Sequence, residues 1–310
     1  MEIKVYHPED YALWNNFNEN SKNGLFLFDR NYMDYHSYLF CDNSLMFYKN
    51  DKLIALLPAH REGGQLTSHS GLSFGGMITS KRMQTTLMLD IFRNLKQYLK
   101  EEGFKTLFYK AIPHLYHLIP AQEDLYALFR NQARLVRRDV SSAIKMDERI
   151  SFNRNRRRNL KKSQDNGLEV SRSDRFSEFI EMENINLQNK YNTVATHTPQ
   201  EMELLSSRFP DNIKLFVVEE EEEIISGVVV YESTQVAHAQ YQTSNPEGIK
   251  SRAIDLIFSF LINDFYTDKK YFSFGISTRK QGNYLNQGLI KFKESFGARA
   301  VIHDFYRMDI

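Results

Sequence analysis

Two patterns of apolar residues, one with the period of a β-strand and one with the period of an α-helix, alternate along the chain. They recur in the same order in both halves. In the second half, apolar runs over 213–218 and 224–231 flank five consecutive glutamates, which predicts a β-hairpin with a solvated turn. The elements predicted after this hairpin are a strand over 235–242, a helix over 250–264, a strand over 271–276, a helix from Leu285 to a C-terminal cap at Gly297, and a closing strand over 298–308.

The first half repeats this order. Its predicted elements are a hairpin of 44–50 and 53–60, a glycine-containing loop over 71–77, a helix over 87–99, a strand over 106–110, a helix over 123–131 and a strand over 133–144. A shift of 165 residues places Asp139 on Asp304, and this match favours a structural function for both. The pattern predicts an internal duplication, with mixed α/β domains over 1–148 and 149–310.

Composition narrows the class of protein. With 310 residues, 42% hydrophobic and 25% charged, the chain is typical of a globular protein of about two domains. The net charge of +1 excludes a basic surface over the whole chain, so any nucleic-acid contact must come from a local patch. The single cysteine, Cys41, excludes an intrachain disulfide and a cysteine zinc site.

Location and metal use follow from the same counts. A lone cysteine fits the reducing cytoplasm, where we expect the protein to lie. The chain lacks a run of about 18 apolar residues, so we expect no membrane span. We expect no metal site either.

One segment between the halves is strongly basic. Residues 154–162 contain six cations and no acid. One arginine guanidinium can donate two hydrogen bonds to a phosphate group. Arg156, Arg157 and Arg158 are therefore candidates for holding a phosphate-bearing substrate. The alternative is a solvated linker helix with cations on all sides.

Two loops that precede helices are candidate anion sites, because a helix N-terminus presents free N–H groups and a positive dipole end. In the second half the candidate donor-binding residues are Gly248, Lys250, Ser251 and Arg252. The first-half counterpart holds Gly75 and Gly76, which we assign to substrate binding. The alternative for both loops is an ordinary turn.

Four segments of the second half resemble a known family. They are 155–163, 237–241, 274–278 and 290–299, and a weaker likeness extends to Phe74–Met77. Together with the element order, they resemble the Fem-type peptidyltransferases and the FemAB-like or BioF2-like tandem GNAT acyltransferases. The resemblance implies an α/β mixed-sheet fold of two tandem GNAT-like domains. The sequence departs from the acetyl-CoA-binding signature of GNAT proteins at one place. Gly248 is followed by Ile249 and Lys250, where the signature has a second glycine.

The resemblance also implies a transfer site. A lysine at position 293 would face it, where its charge stabilises an oxyanion or holds a phosphate; the alternative is a solvated lysine on an amphipathic helix. Ser277 lies in the strand segment that lines the acyl gap of this fold, and it is a further candidate for binding the donor. Tyr241, at the end of the third strand, is a candidate donor to a carbonyl or leaving group, or a core tyrosine. Strand parity predicts that His238 faces away from Tyr241.

The expected function is N-acyl transfer from a CoA thioester to an amine on an anionic, glycan-linked or nucleotide-linked acceptor. The second domain is expected to hold the donor. Aminoacyl-tRNA is the alternative donor, in a Fem-type reaction on a cell-wall precursor. A non-catalytic protein that binds a nucleotide-sugar or a partner is the alternative from another class.

Overall fold

Seventeen β-strands and ten α-helices make up the chain, which a computed structural model describes over residues 1–310. They divide into two compact units. Unit 1 comprises Met1–Val140, Arg279–Tyr284 and Ile302–Ile310; unit 2 comprises Ser141–Thr278 and Leu285–Val301. Two strands begin in one unit and end in the other: β9 (Arg134–Lys145) and β17 (Arg299–Asp309). The boundary at 148/149 stays a prediction.

Unit 1 contains a four-stranded antiparallel sheet in the order β1-β3-β4-β7, and a second set of neighbouring strands in the order β17-β8-β6-β5-β2. Helix α3 supplies the core with Ile91, Phe92 and Leu95, which follow the helical period on one face. The elements are β1 (Glu2–Val5), α1 (Tyr11–Asn20), α2 (Arg30–Met33), β2 (Cys41–Asp42), β3 (Leu45–Lys49), β4 (Lys52–Leu57), β5 (His60–Glu62), β6 (Gln65–Thr67), β7 (Ile78–Thr79), α3 (Thr85–Glu101), β8 (Thr106–Lys110) and α4 (Glu123–Arg130).

Unit 2 contains neighbouring strands in the order β10-β11-β12-β13-β14-β9. Helix α9 packs its apolar face on this sheet, with Ile257 and Phe258 wholly buried. The elements are α5 (Arg154–Asp165), β10 (Ser171–Ser173), α6 (Phe176–Tyr191), α7 (Pro199–Arg208), β11 (Ile213–Glu220), β12 (Glu223–Glu232), β13 (Val236–Ser244), α8 (Pro246–Ser251), α9 (Ala253–Phe260), β14 (Tyr271–Ile276), β15 (Thr278–Arg279), β16 (Tyr284–Leu285) and α10 (Gln287–Glu294).

The predicted glutamate hairpin is confirmed. Strands β11 and β12 pair antiparallel, and Glu221 and Glu222 form the turn, both with positive φ. Two positive φ values match the turn type that follows the twist of a hairpin. The exposed carboxylates keep the turn in solvent.

The predicted helix over 250–264 is interrupted, because Pro246 starts a helical turn early and Arg252 adopts a left-handed conformation (φ 65°) that ends it. A π-helical turn over Leu261–Phe265 follows α9. Leu285 lies in β16 rather than in a helix. Helix α10 ends near Gly297 as predicted, but its C-cap residue is Ser295, and Gly297 follows two residues later with φ 91°.

Strand β13 contains a bulge that sequence periodicity did not reveal. Ala239 pairs with Val230 and Tyr241 with Val229, so Gln240 is an extra residue. A bulge shifts the alternation by one, which places His238 and Tyr241 on the same face of β13. The parity prediction for these two residues was therefore wrong.

The pairing of β13 with β14 is short. The two strands run parallel over three residue pairs, from Val236–Tyr271 to His238–Ser273. Beyond this point β13 continues to Ser244, still paired with β12, whereas β14 reaches Gly275 with φ 72°. The sheet therefore opens between Ala239–Ser244 on one side and Phe274–Ile276 on the other. No helix of the chain is long and apolar enough to cross a bilayer.

Candidate functional site

Lys293 reaches the opening between β13 and β14. Its side chain is 2% exposed, and its ammonium donates to the carbonyl oxygens of Gly275 (2.8 Å) and Ile276 (2.7 Å). Helix α10 positions the lysine, and the Asn286 side chain caps that helix by accepting from the Leu289 N–H. The neighbouring Lys291 is exposed.

The ammonium of Lys293 contacts no carboxylate. Burial alone lowers its pKa to about 7, since nothing of opposite charge compensates the lost hydration. Two of its three N–H groups bind carbonyls, and the third has no hydrogen-bond partner within the protein. The buried hydroxyl of Ser277 also makes no hydrogen bond within the protein. Buried polar groups are costly unless they are used, so this arrangement is typical of a functional site.

The face of the sheet opposite α9 brings three polar residues to the same opening. His238 Nδ1 lies 3.0 Å from Ser273 Oγ, and a Cβ at Gly275 would lie 3.3 Å from the His238 ring. Tyr241 follows on the same face beyond the bulge. Its hydroxyl lies 2.6 Å from His197 Nδ1, and burial raises its pKa. The imidazole of His197, which comes just before α7, thus fixes the tyrosine hydroxyl.

A glutamate that the sequence analysis missed lies further along the opening. Glu183 on α6 is half-buried and accepts a hydrogen bond from Thr243, whose hydroxyl in turn accepts one from Asn186 (2.6 Å). Burial raises the pKa of Glu183 to about 7, against smaller opposing effects of the Thr243 bond and Lys190. In the sequence, Glu183 is one of several charged residues in its segment, and no local motif distinguishes it from the others.

The candidate donor loop is mostly engaged in internal bonds. A Cβ at Gly248 would overlap the carbonyl oxygen of Ile225, so this glycine permits close packing of α8 on β12. Its N–H binds the Asn245 side chain, which caps the helix (2.9 Å). Lys250 is exposed and pairs with Glu247 (3.1 Å).

The other two donor-loop residues differ from one another. The hydroxyl of Ser251 donates to the carbonyl oxygen of Glu247 (2.8 Å) and is buried. The side chain of Arg252 is exposed and forms no ion pair or hydrogen bond within the protein, so it remains free for an anion.

Arg156 does not face solvent as expected. Its guanidinium forms an ion pair with the buried Asp255 (2.6 Å), donates to Ser295 (2.7 Å) and lies over the ring of Phe292. These contacts tie α5 to α9 and α10. Arg156 is therefore a packing residue, and the expectation that it binds a substrate phosphate is corrected.

Arg157 and Arg158 do face solvent, and they belong to a stripe along α5. Positions three and four apart on a helix share a face. The exposed residues on this face, which we name the basic stripe, are Arg154, Arg157, Arg158 and Lys161, and none forms an ion pair. The opposite face holds Arg156 and Ser163, which pack inward.

In unit 1, the two loop glycines serve packing. A Cβ at Gly75 would lie 3.0 Å from the Ser68 carbonyl oxygen, and one at Gly76 would lie 2.7 Å from the Tyr109 hydroxyl. Lys110 ties this loop by donating to the carbonyls of His69 and Leu72. Burial lowers the pKa of Lys110 to about 7. The predicted substrate contact of the glycines stays a prediction.

The two duplicated aspartates have structural partners, as the duplication favoured. Asp139 pairs with Arg137 (2.6 Å), and Asp304 accepts from Arg138 (2.6 Å). No cluster of three or more His, Cys, Asp or Glu side chains has the arrangement of a metal site.

Comparisons with known proteins show the fold. No family model matches the sequence, and no curated protein matches it. FemX matches with a TM-score of 0.69 and 11% identity over 100% of this chain and 98% of its own. The C-terminal domain of an Agrobacterium fabrum protein described as a lysylphosphatidylglycerol synthetase matches with a TM-score of 0.64 and 11% identity, over 97% and 92%.

A tandem GNAT protein from the clavulanic acid biosynthesis pathway also matches, with a TM-score of 0.51 and 8% identity, over 99% of this chain and 98% of that one. At such identities the likeness shows the fold alone. The chain has a FemAB-like, tandem GNAT-type α/β fold, which confirms the predicted fold class.

The assignment of Arg156 predicts an effect on stability. Arg156→Ala leaves the Asp255 carboxylate buried without its cation, so the free energy of unfolding should fall by about 3 kcal/mol or more. Arg157→Ala, which removes the same charge from the exposed face, should change it by less than about 0.5 kcal/mol. Urea unfolding of the two variants measures both values. Equal effects would contradict the assignment.

Proposed function

We propose that unit 2 transfers an acyl group from an activated donor to an amine, in the opening between β13 and β14. The amine nitrogen attacks the carbonyl carbon, the new C–N bond forms, and the bond to the leaving sulfur or oxygen breaks. The attack places negative charge on the carbonyl oxygen. A fixed cation beside that oxygen lowers the barrier, because it stabilises charge that develops only in the transition state.

The buried ammonium of Lys293 is the observation that supports this function. It lies where two strands separate, it has no counter-ion, and its third N–H has no partner within the protein. Its pKa of about 7 also suits proton donation to the leaving atom at neutral pH. Ser277 adds a free hydroxyl nearby.

Lys293→Met should lower transfer by about 100-fold or more, since loss of one oxyanion donor has an effect of this size. Lys291→Met, on the exposed face of α10, should leave the rate unchanged. The assay uses acetyl-CoA or alanyl-tRNA as donor and propylamine or hydroxylamine as acceptor, and follows amide or hydroxamate formation. A Lys293→Met enzyme with the wild-type rate would contradict the proposal.

For the donor, we propose a CoA thioester. The edge of β13 from Ala239 to Gln242 is not paired with β14, so its backbone groups can bind the amide groups of a pantetheine arm in the manner of an added strand. Arg252 offers an exposed cation to the phosphates. Gly248 contributes packing rather than a phosphate contact, so this donor does not depend on the glycine signature.

Aminoacyl-tRNA is a second candidate donor, and the basic stripe favours it. Four exposed cations without acidic partners lie on one face of α5. Such a row binds the evenly spaced phosphates of a nucleic acid, and the affinity falls steeply with salt. This donor would make the reaction an aminoacyl transfer.

A pair of titrations separates the donors. With a CoA thioester as donor, CoA should bind at one saturable site at both low and moderate salt, and Arg157→Ala with Arg158→Ala should not change its affinity. If tRNA is the donor, that double variant should weaken tRNA binding more than tenfold and lower the salt slope by about 2. Lys49→Ala with Lys52→Ala, in unit 1, is the charge-matched control. Failure of both ligands to bind would overturn both candidates.

A further inference from the structure

We propose that Glu183 is the group that binds the acceptor amine and removes its proton. Neither a sequence motif nor the fold assigns a function to this residue. The inference rests on the proposed function, because it names the acceptor side of the same opening. It assigns to unit 2 a recognition site for a primary amine that is protonated in solution.

The position of Glu183 supports this assignment. Its carboxylate binds Thr243, which lies on the part of β13 that has left β14. His238, five residues earlier, is the last β13 residue that pairs with β14. The glutamate therefore projects from α6 over the same strand segment that borders the opening. Lys293 reaches that opening from the β14 side.

The charge balance supports it as well. Glu183 forms no ion pair, and among charged groups only Lys190, on its own helix, acts on its pKa. Tyr241 on β13 and His197 before α7 are the other titratable groups near this cluster, and they bind each other. A half-buried carboxylate without a cation in contact offers an alkylammonium group the partner that it lacks.

The hydrogen bonds around Glu183 orient it. The Asn186 side chain donates to Thr243 Oγ1 (2.6 Å) and to the Ser244 carbonyl oxygen (2.9 Å), which leaves the Thr243 hydroxyl proton for Glu183. One carboxylate oxygen is fixed in this way and the other can accept from the amine. Its pKa of about 7 is suited to a base at neutral pH.

The proton balance is complete. An ammonium N–H on the acceptor transfers its proton to Glu183, and the neutral nitrogen attacks the acyl carbon. The C–N bond forms, the attacking nitrogen releases its second proton to water, and the C–S or C–O bond of the donor breaks. The leaving atom takes up a proton from water, directly or through Lys293, which water reprotonates, and Glu183 returns the first proton to solvent.

The test compares two acceptors that differ in protonation. Propylamine is an ammonium ion at neutral pH, whereas hydroxylamine is already mostly a free base. Glu183→Gln keeps the side-chain shape and an oxygen that accepts from Thr243. At pH 7 it should lower kcat/KM for propylamine by about 100-fold. With hydroxylamine it should have little effect. With propylamine, the ratio of the variant's kcat/KM to that of the wild type should rise with pH, because an amine that is already deprotonated does not need the missing base.

Two control variants and a second acceptor distinguish a base at Glu183 from a structural residue. Glu181→Gln, on the exposed face of the same helix, should match wild type with both acceptors. An equal loss with propylamine and hydroxylamine would mark Glu183 as structural and overturn the inference. Loss of the propylamine rate in His238→Asn, with a wild-type rate in Glu183→Gln, would assign the proton to His238 and also overturn it.

A separate measurement does not require turnover. Carbon NMR of carboxyl-labelled glutamate should show one resonance, absent in Glu183→Gln, that titrates near neutrality and shifts on adding propylamine. If this resonance does not shift when propylamine is added, the assignment of Glu183 is overturned, even if the wild type transfers acyl groups. A wild type without transfer, but with this shift, would instead overturn the proposed function and leave the amine site in place.

Discussion

The short pairing of β13 with β14 is the constraint on which the functional part of unit 2 depends. Three residue pairs hold the strands together, and beyond them the backbone groups of both strands need other partners. Lys293 supplies two donors to the carbonyls of Gly275 and Ile276. The ammonium thus stabilises the opened strand end, and the opened strand holds the ammonium in a buried position.

Two unpaired charges of opposite sign border this opening. In the proposed reaction the cation, Lys293, acts on the carbonyl of the donor, and the anion, Glu183, acts on the amine of the acceptor. Burial moves both pKa values toward neutrality, downward for the lysine and upward for the glutamate. The pair matches an aminolysis, in which one reactant gains negative charge as the other loses a proton.

Sequence periodicity predicted the β11–β12 hairpin, β14 and the end of α10 near Gly297, because each depends on local patterns of apolar residues and turns. It also identified Lys293, through a family resemblance. It missed the bulge at Gln240, since one extra residue leaves the composition of β13 unchanged while reversing its faces. It also misjudged Arg156, because a run of cations does not show which one meets Asp255 in another helix.

The central claim, a buried ammonium without a counter-ion at Lys293, is tested most directly by the pH dependence of unfolding. Its pKa is about 7 in the folded protein, against an ordinary lysine pKa of 10.5, so the unfolded chain binds more protons than the folded one between these two pH values. Wild type should therefore gain stability relative to Lys293→Met as pH rises from 7 to 10, by about 1.4 kcal/mol per pH unit. A stability difference that stays constant over this range would show an ordinary lysine and contradict the account.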